Sequence, residues 1–362
     1  MNKKRLNAPN FQFDSQLVVP LVAIVIIVLF NLIRDPSFFS VETTVNSRGN
    51  TVLSGNLITI FNGASELAIL AMGMTLVTAA SGGQDISVGA TAAIAGSVYV
   101  KIISNAANAG FGTVIFAFLA AAVVAMIFGA FNGTLVAVFK IQPMIATLIL
   151  YTCGRSIAYW INGGATPTLE NNIVNAIGGF IPGVMIPTPI LIVLFVAVIF
   201  MLLFKFTTLP LFVQAVGINE RAARLNGINS TWMKLLTFMI LGVCCAFAGC
   251  ITVGRLGLIN HETLLIEIEM DAILAVAIGG NSLGGGKFKM LGSVIGAYAI
   301  QALTITLYAM KVPSTAVKAY KAIVIIVLVV FSSPVVKAWF NKMKLKYSKD
   351  RIKAIPEKEE AA

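Results

Sequence analysis

Along the chain, long apolar runs alternate with short polar interruptions, and most of the runs have the length that a bilayer demands. A helix crossing about 30 Å of hydrocarbon needs about 20 residues at about 1.5 Å each. Runs of this kind cover Leu17–Ile33, Val52–Ala80, Ile86–Ser104, Phe111–Phe139, Met144–Ile161, Pro187–Phe206, Met233–Val253, Leu264–Gly280, Met290–Met310 and Val317–Ser332. The pattern predicts an all-α polytopic membrane protein of about ten transmembrane helices, with a transmembrane domain over 17–335 between terminal tails at 1–16 and 336–362. Two runs are impure. Ser54, Gly55 and Asn56 interrupt the second, and Glu267, Glu269 and Asp271 lie in the eighth. The first run follows Lys3-Lys4-Arg5, as a signal peptide would, but Arg34-Asp35-Pro36 follows it in place of small residues fit for cleavage. It is therefore expected to be a retained helix.

Composition agrees. The chain is 58% hydrophobic and only 11% charged, with mean hydropathy +0.90. A soluble domain carries about 25% charged residues, so this chain lacks the polar side chains to cover a water-facing surface. The basic residues set the orientation. With the N-terminus inside, Lys140, Lys205, Arg221, Arg224, Lys234, Lys287, Lys289 and both tails fall on the cytoplasmic side, which holds 18 of the 26 Lys and Arg. That matches the positive-inside bias and puts both termini in the cytoplasm. The net charge of +11 thus reflects topology and a basic tail facing anionic lipid; no nucleic-acid partner is expected.

Several chemistries are excluded. His261 is the sole histidine, and Cys153, Cys244, Cys245 and Cys250 all fall in apolar runs as packing residues. No cofactor, metal site or catalytic constellation is expected. The glycine-rich stretch AIGGNSLGGGKFKM (277–290) imitates a phosphate-binding loop, but Asn281 stands where the first glycine belongs and Phe288 where the hydroxyl belongs. Gly279, Gly280, Gly284 and Gly285 around Asn281 form either a tight turn between packed spans or a hinge along a transport path, since a helix can break near a bilayer only where protein or water satisfies its backbone. The stretch SGGQDISVG (81–89) repeats the pattern with Gly82, Gly83, Asp85 and Ser87, a faint internal echo. Asp85 is expected to cap the helix that begins near Ile86 by accepting from the amide of Ser87 or Val88.

Two polar features stand out further. Arg155 lies inside an apolar run beside Tyr151, Tyr159 and Trp160, a position where charge is costly. It lines the path, pairs with Glu66 or Glu170, or snorkels. The segment 214–230 (QAVGINERAARLNGINS) reads as one short helix on the cytoplasmic side. Asn219 caps it, Glu220 sits in its first turn and pairs with Arg224 at i, i+4, and Asn226-Gly227 stops it. Its alternative is an ordinary solvated loop.

In their order, LAILAMGMTLVTAASGGQDISVGA, QPMIATLILYTCGR, AVGINERAARLNGIN and DAILAVAIGGNSLGGGKF with GSVIGA resemble the permease subunits of ribose-type sugar ATP-binding cassette importers. The insertion ETTVNSRGNTVLSGN is most similar to the galactofuranose-type permeases. The resemblance covers nearly the whole chain, to about Ser332. It implies a permease without enzymatic activity in the bacterial inner membrane. It implies a second permease subunit, identical or related, separate ATPase subunits, and an extracytoplasmic sugar-binding protein as partners. It assigns ATPase coupling to Gly217, Asn219, Glu220, Ala222, Ala223 and Gly227, with Arg221 and Arg224 on the same surface. Asp85 then has a second possible role as an acceptor for sugar hydroxyls, and Tyr151 one in stacking on sugar rings. Glu267, Glu269 and Asp271 are expected as a solvated acidic rim or a contact for the binding protein. Gln84 departs from the aliphatic residue usual in the family. A different class, an ion- or proton-coupled secondary transporter, would be expected to show partnered carboxylates at the midplane, and this chain offers chiefly Glu66 and Asp85.

Overall fold

The computed structural model describes residues 17–45, 49–106 and 109–332. The tails expected over 1–16 and 336–362 lie outside the described residues. The chain divides into two units, Met1–Lys311 and Val312–Ala362. In the first, helix α1 (Val18–Arg34) leads to a hairpin of β1 (Glu42–Val45) and β2 (Thr51–Ser54). Then come α2 (Asn56–Gly63), α3 (Ser65–Ser81), α4 (Val88–Ser104), α5 (Phe111–Ala137), α6 (Pro143–Ile161), α7 (Asn172–Gly178), α8 (Thr188–Phe206), α9 (Leu209–Ile218), α10 (Glu220–Leu225), α11 (Ser230–Leu256), α12 (Ile268–Ile278) and α13 (Met290–Ala309). The described part of the second unit contains α14 (Ser314–Ser332).

Six helical stretches are long and apolar enough to cross a membrane: Asn56–Ser81, α5, α6, α8, α11 and α13. Most apolar runs appear as helices within a few residues of their expected bounds. The impure runs differ. Val52–Ser54 is a strand, paired in register from Glu42 with Ser54 to Val45 with Thr51, so the second helical stretch starts at Asn56. Gly55, at φ 131°, makes the sharp bend between strand and helix that a side chain would resist. The eighth run forms only the 11 residues of α12, about 16 Å of helix, roughly half a bilayer. Residues 257–267 ahead of it are non-helical and are held by Arg155, as described below.

Helices α3 and α11 form the centre; every residue of α3 from Ser65 to Ala80 is buried. Apolar burial gives helices little reason to associate inside lipid, so close van der Waals packing must do so. The sequence provides for this with small residues four apart on α5: Ala117, Ala121, Ala125, Gly129 and Gly133 are all buried. A methyl group on Gly129 would lie 2.3 Å from the Phe238 carbonyl oxygen of α11, so any larger residue there forces the two backbones apart. Polar side chains add links. Asn31 of α1 donates to the Thr306 hydroxyl of α13 at 2.8 Å, and Thr75 of α3 donates to Ser293 of α13 at 2.6 Å.

Candidate functional site

One end of the bundle gathers the two glycine breaks, the α5–α6 turn and the α9–α10 segment. Within the segment read over 214–230, the expected short helix is present as α10, capped at Asn219, and the end of a second helix, α9, precedes it. Asn219 has extended backbone (φ −156°, ψ 100°) and its side chain accepts from the Ala222 amide at 3.0 Å, so it ends α9 and starts α10. An N-cap residue cannot also be helical, and the apolar stretch Leu209–Ile218 ahead of it satisfies the helical pattern alone. Gly227, at φ 79°, closes the turn into α11.

Glu220 is the electrostatic centre. Its carboxylate accepts from Lys140 at 2.8 Å, Arg224 at 2.7 Å, Lys234 at 2.6 Å and the Ser230 hydroxyl at 3.0 Å. Partial burial opposes its ionisation, but the hydrogen bonds from Lys140 and Lys234 and the charge of Lys234 outweigh it and hold Glu220 down to about 2. The expected Glu220–Arg224 pair is present, but Arg224 is not a free docking cation; it also donates to Ser230. Ala223 is buried, whereas Arg221, Ala222 and Leu225 are exposed, Leu225 at 89%. Lys140 and Lys234 have no site role in the sequence reading. The available signal was Lys234 itself, a charge one turn inside an apolar helix.

Gly217 lies where α9 meets the breaks. A Cβ there would stand within bonding distance of the Ala79 carbonyl oxygen, at 1.8 Å, and 2.7 Å from the Gly286 amide nitrogen. Only glycine permits that approach. The Gly286 amide donates to the same Ala79 oxygen at 3.0 Å. The breaks also meet directly: a Cβ on Gly82 would lie 2.9 Å from the Gly284 oxygen, and one on Gly285 3.0 Å from the Gly82 Cα. Gln84 donates to the Leu283 carbonyl at 2.9 Å, and Gly83 packs against Pro143 at the start of α6.

Each break is pinned from within. Asn281 accepts from the Lys289 amide at 2.6 Å and donates to the Lys289 carbonyl and the Ser293 hydroxyl. The residue that spoils the phosphate-loop pattern therefore organises this loop. Gly279 packs on Gly292 where α12 meets α13, and Gly280 turns the chain out of α12 at φ 79°. Asp85 accepts from the Ser87 amide at 2.7 Å and hydroxyl at 2.6 Å, and Asn132 of α5 donates to the Ser87 hydroxyl at 2.8 Å. Asp85 and Ser87 are buried.

Arg155 and Tyr151 stand apart from this cluster. Arg155 donates from one nitrogen to the carbonyls of His261, Glu262 and Leu264, at 2.9, 3.0 and 3.1 Å. It does not pair with Glu66, whose partner is Arg255 at 3.2 Å, nor is Glu170 among its bonds. The loop 257–267 offers unsatisfied carbonyls close to α6, and they take the guanidinium first. Tyr151 is partly exposed on α6. Glu269 is buried at 1% exposure, so it is no part of a solvated rim, whereas Glu267 is exposed. Among the described residues no cluster of His, Cys, Asp or Glu is arranged to hold a metal.

Comparison with known proteins adds the following. A family model described as "Branched-chain amino acid transport system / permease component" matches residues 56–333. The galactofuranose transporter permease protein YtfT of Escherichia coli (strain K12) is 38% identical over 86% of this chain and 88% of its own. The fructose import permease protein FruF of Bifidobacterium longum (strain NCC 2705) is 33% identical over 94% and 95%. The ribose import permease protein RbsC of Escherichia coli (strain K12) is 33% identical over 85% and 91%. No solved structure matches the chain.

Proposed function

The chain belongs to the branched-chain amino acid transport system / permease component family, and from that premise we propose how its own residues couple a sugar path to an outside motor. It is the membrane permease of an ATP-binding cassette sugar importer, a multi-pass protein of the bacterial inner membrane that leaves ATP hydrolysis to a separate subunit. Such a permease works with ATPase and substrate-binding partners. The sugar is of the monosaccharide class named for the relatives, galactofuranose, fructose or ribose. A second permease copy or relative completes the path, about ten crossings thread the membrane, both termini lie in the cytoplasm, and lipid contacts the basic tail.

The observation that carries the coupling reading is the seat of Gly217 on the Ala79 carbonyl and the Gly286 amide. A segment outside the long apolar helices thereby touches one break at Gly286 and the last turn of α3, which leads into the other, at Ala79. The ATPase docks on the outer surface of α9–α10, where Ile218 is 62% and Leu225 89% exposed beside Arg221 and Ala222. Asn219, Ala222 and Ile218 also line a groove of about 370 Å³ there. Buried Ala223 and the Glu220 cluster face inward and keep α10 rigid against α11 and the α5–α6 turn. ATP-driven movement of the docked surface then shifts α9 against the two breaks, and the path alternates between its outward and inward openings. Gly279, Gly280, Asn281, Gly284 and Gly285 on one side, and Gly82, Gly83, Asp85 and Ser87 on the other, are the moving joints. Arg155 and Tyr151 act toward the opposite end, where Arg155 fixes the loop ahead of α12.

The test is reconstitution in liposomes with the ATPase and binding-protein partners. Labelled galactofuranose, fructose or ribose should accumulate only with ATP, and a protonophore should leave the rate unchanged. Uptake that follows the proton gradient and ignores the ATPase would instead establish the secondary-transporter alternative.

A further inference from the structure

Gln84 is 8% exposed and its amide reaches across to the backbone of a loop 199 residues away. On either side of that bond the two breaks touch through glycine backbone alone, at Gly82 against Gly284 and Gly285. A second bond, from the Gly286 amide, ends on Ala79, the carbonyl over which Gly217 of α9 is seated. Backbone contacts between glycines have little side-chain area to hold them together. These two hydrogen bonds and the overlying α9 close the breaks directly, and deeper in the bundle the Ser293 hydroxyl, which accepts from both Thr75 and Asn281, ties α3 to the second break.

We infer that Gln84 is the closing bond of a clasp between the two breaks, that this clasp is the inner gate of the path, and that α9 opens it by withdrawing Gly217 from the Ala79–Gly286 bond. The inference rests on the coupling reading above and adds to it a positioning residue and a defined point of opening. The geometry explains why a polar side chain stands at 84. A buried amide needs a partner, and the Leu283 carbonyl lies in a loop that forms no regular ladder to satisfy it. When the clasp parts, the Gln84 amide and the Leu283 carbonyl both become free for water or for a sugar hydroxyl, so opening exposes a polar mouth.

The test compares the wild-type complex with Q84L, which removes the donor and leaves an apolar side chain one bond shorter. One hydrogen bond of this kind corresponds to roughly a three- to tenfold change in an opening equilibrium. Q84L should assemble with its partners at the wild-type level. Its ATP turnover without binding protein should rise by about that factor, and the Gly286 amide should exchange with deuterium faster by the same factor. Wild-type turnover and exchange in an assembled Q84L complex would overturn the clasp. Should Q84L fail to assemble, the wild-type complex decides: a non-hydrolysable ATP analogue should accelerate exchange at Gly286, and unaltered exchange would overturn the proposal. A wild-type complex whose ATP turnover is not linked to uptake would sink the functional reading instead, which keeps the two failures apart.

Discussion

Replacing Glu220 by Gln removes one charge and leaves three cations facing each other. The structure sets the size of the effect. Lys140 and Arg224 are about half exposed, at 49% and 48% of their side chains, and pairs of that kind are worth about 0.5 kcal/mol each. Lys234 is 10% exposed and bonds at 2.6 Å, so its charge-assisted bond contributes about 1.5 kcal/mol. A glutamine recovers part of this through one neutral bond, which leaves a local loss of about 2 kcal/mol, or roughly 30-fold in the opening equilibrium of α10. The loss belongs to the segment 219–230 and its seat on the first turns of α11, because Lys140, Arg224, Ser230 and Lys234 all lie at that end of the bundle and none belongs to α3. Deuterium exchange of the complex in lipid nanodiscs reads it directly. Amides of 222–228 should exchange about 30-fold faster in E220Q, while those of α3 stay unchanged. Coupling should weaken, with more ATP hydrolysed for each sugar imported. The pH dependence has a defined sign. Glu220 is held at about 2, below its ordinary 4.5, so its stabilisation is complete above about pH 4.5 and is lost as pH falls from there toward 2. Wild type and E220Q should differ by a constant amount between pH 5 and 8, and their difference should shrink on acidification. Exchange in E220Q within twofold of wild type at pH 7 would refute the claim that this cluster stiffens the lever.

Three further outcomes follow from the same geometry. In G217A the new methyl would meet the Ala79 oxygen at 1.8 Å; α9 must lift off, at a stability loss of about 1–3 kcal/mol, and import should fall at least tenfold while the protein still reaches the membrane, as uptake and membrane-fraction blots would show. In L225D a charge replaces a side chain that is 89% exposed, so thermal stability of the isolated permease should stay within about 0.5 kcal/mol of wild type while co-purification of the ATPase is lost; retained ATPase binding would place the docking surface elsewhere. In R155K the flat guanidinium that serves the His261, Glu262 and Leu264 carbonyls is replaced by a single ammonium, so exchange at 261–268 should rise and the melting temperature should drop by several degrees, with R155M lower still.

What the sequence made legible depended on distance along the chain. Apolar run lengths located most helices, and the stretch from Asn219 to Gly227 announced its own cap, its i, i+4 pair and its stop, because each of those signals acts within about one turn. The impure runs failed on the same logic. Ser54-Gly55-Asn56 was readable as a blemish in a helix, but the pairing of Glu42 with Ser54 that turns it into a hairpin crosses 12 positions and leaves no periodic trace. Glu269 looked solvated because the acids around it are close in sequence, whereas its carboxylate is tucked against Gly89 of α4, far away along the chain. The long-range bonds were wholly hidden: Lys140 meets Glu220 across 80 positions and Gln84 meets Leu283 across 199. Yet both glycine stretches were visible as anomalies before their contact was known, and the reason is physical. A glycine at a close approach is selected by a neighbour it does not name, so a sequence can show that something must come near Gly82, Gly217 and Gly285 without showing that they come near each other. Their convergence on Ala79 and Gly286 turns three separate oddities into one joint, and it is that joint, more than any single side chain, that the coupling reading requires to move.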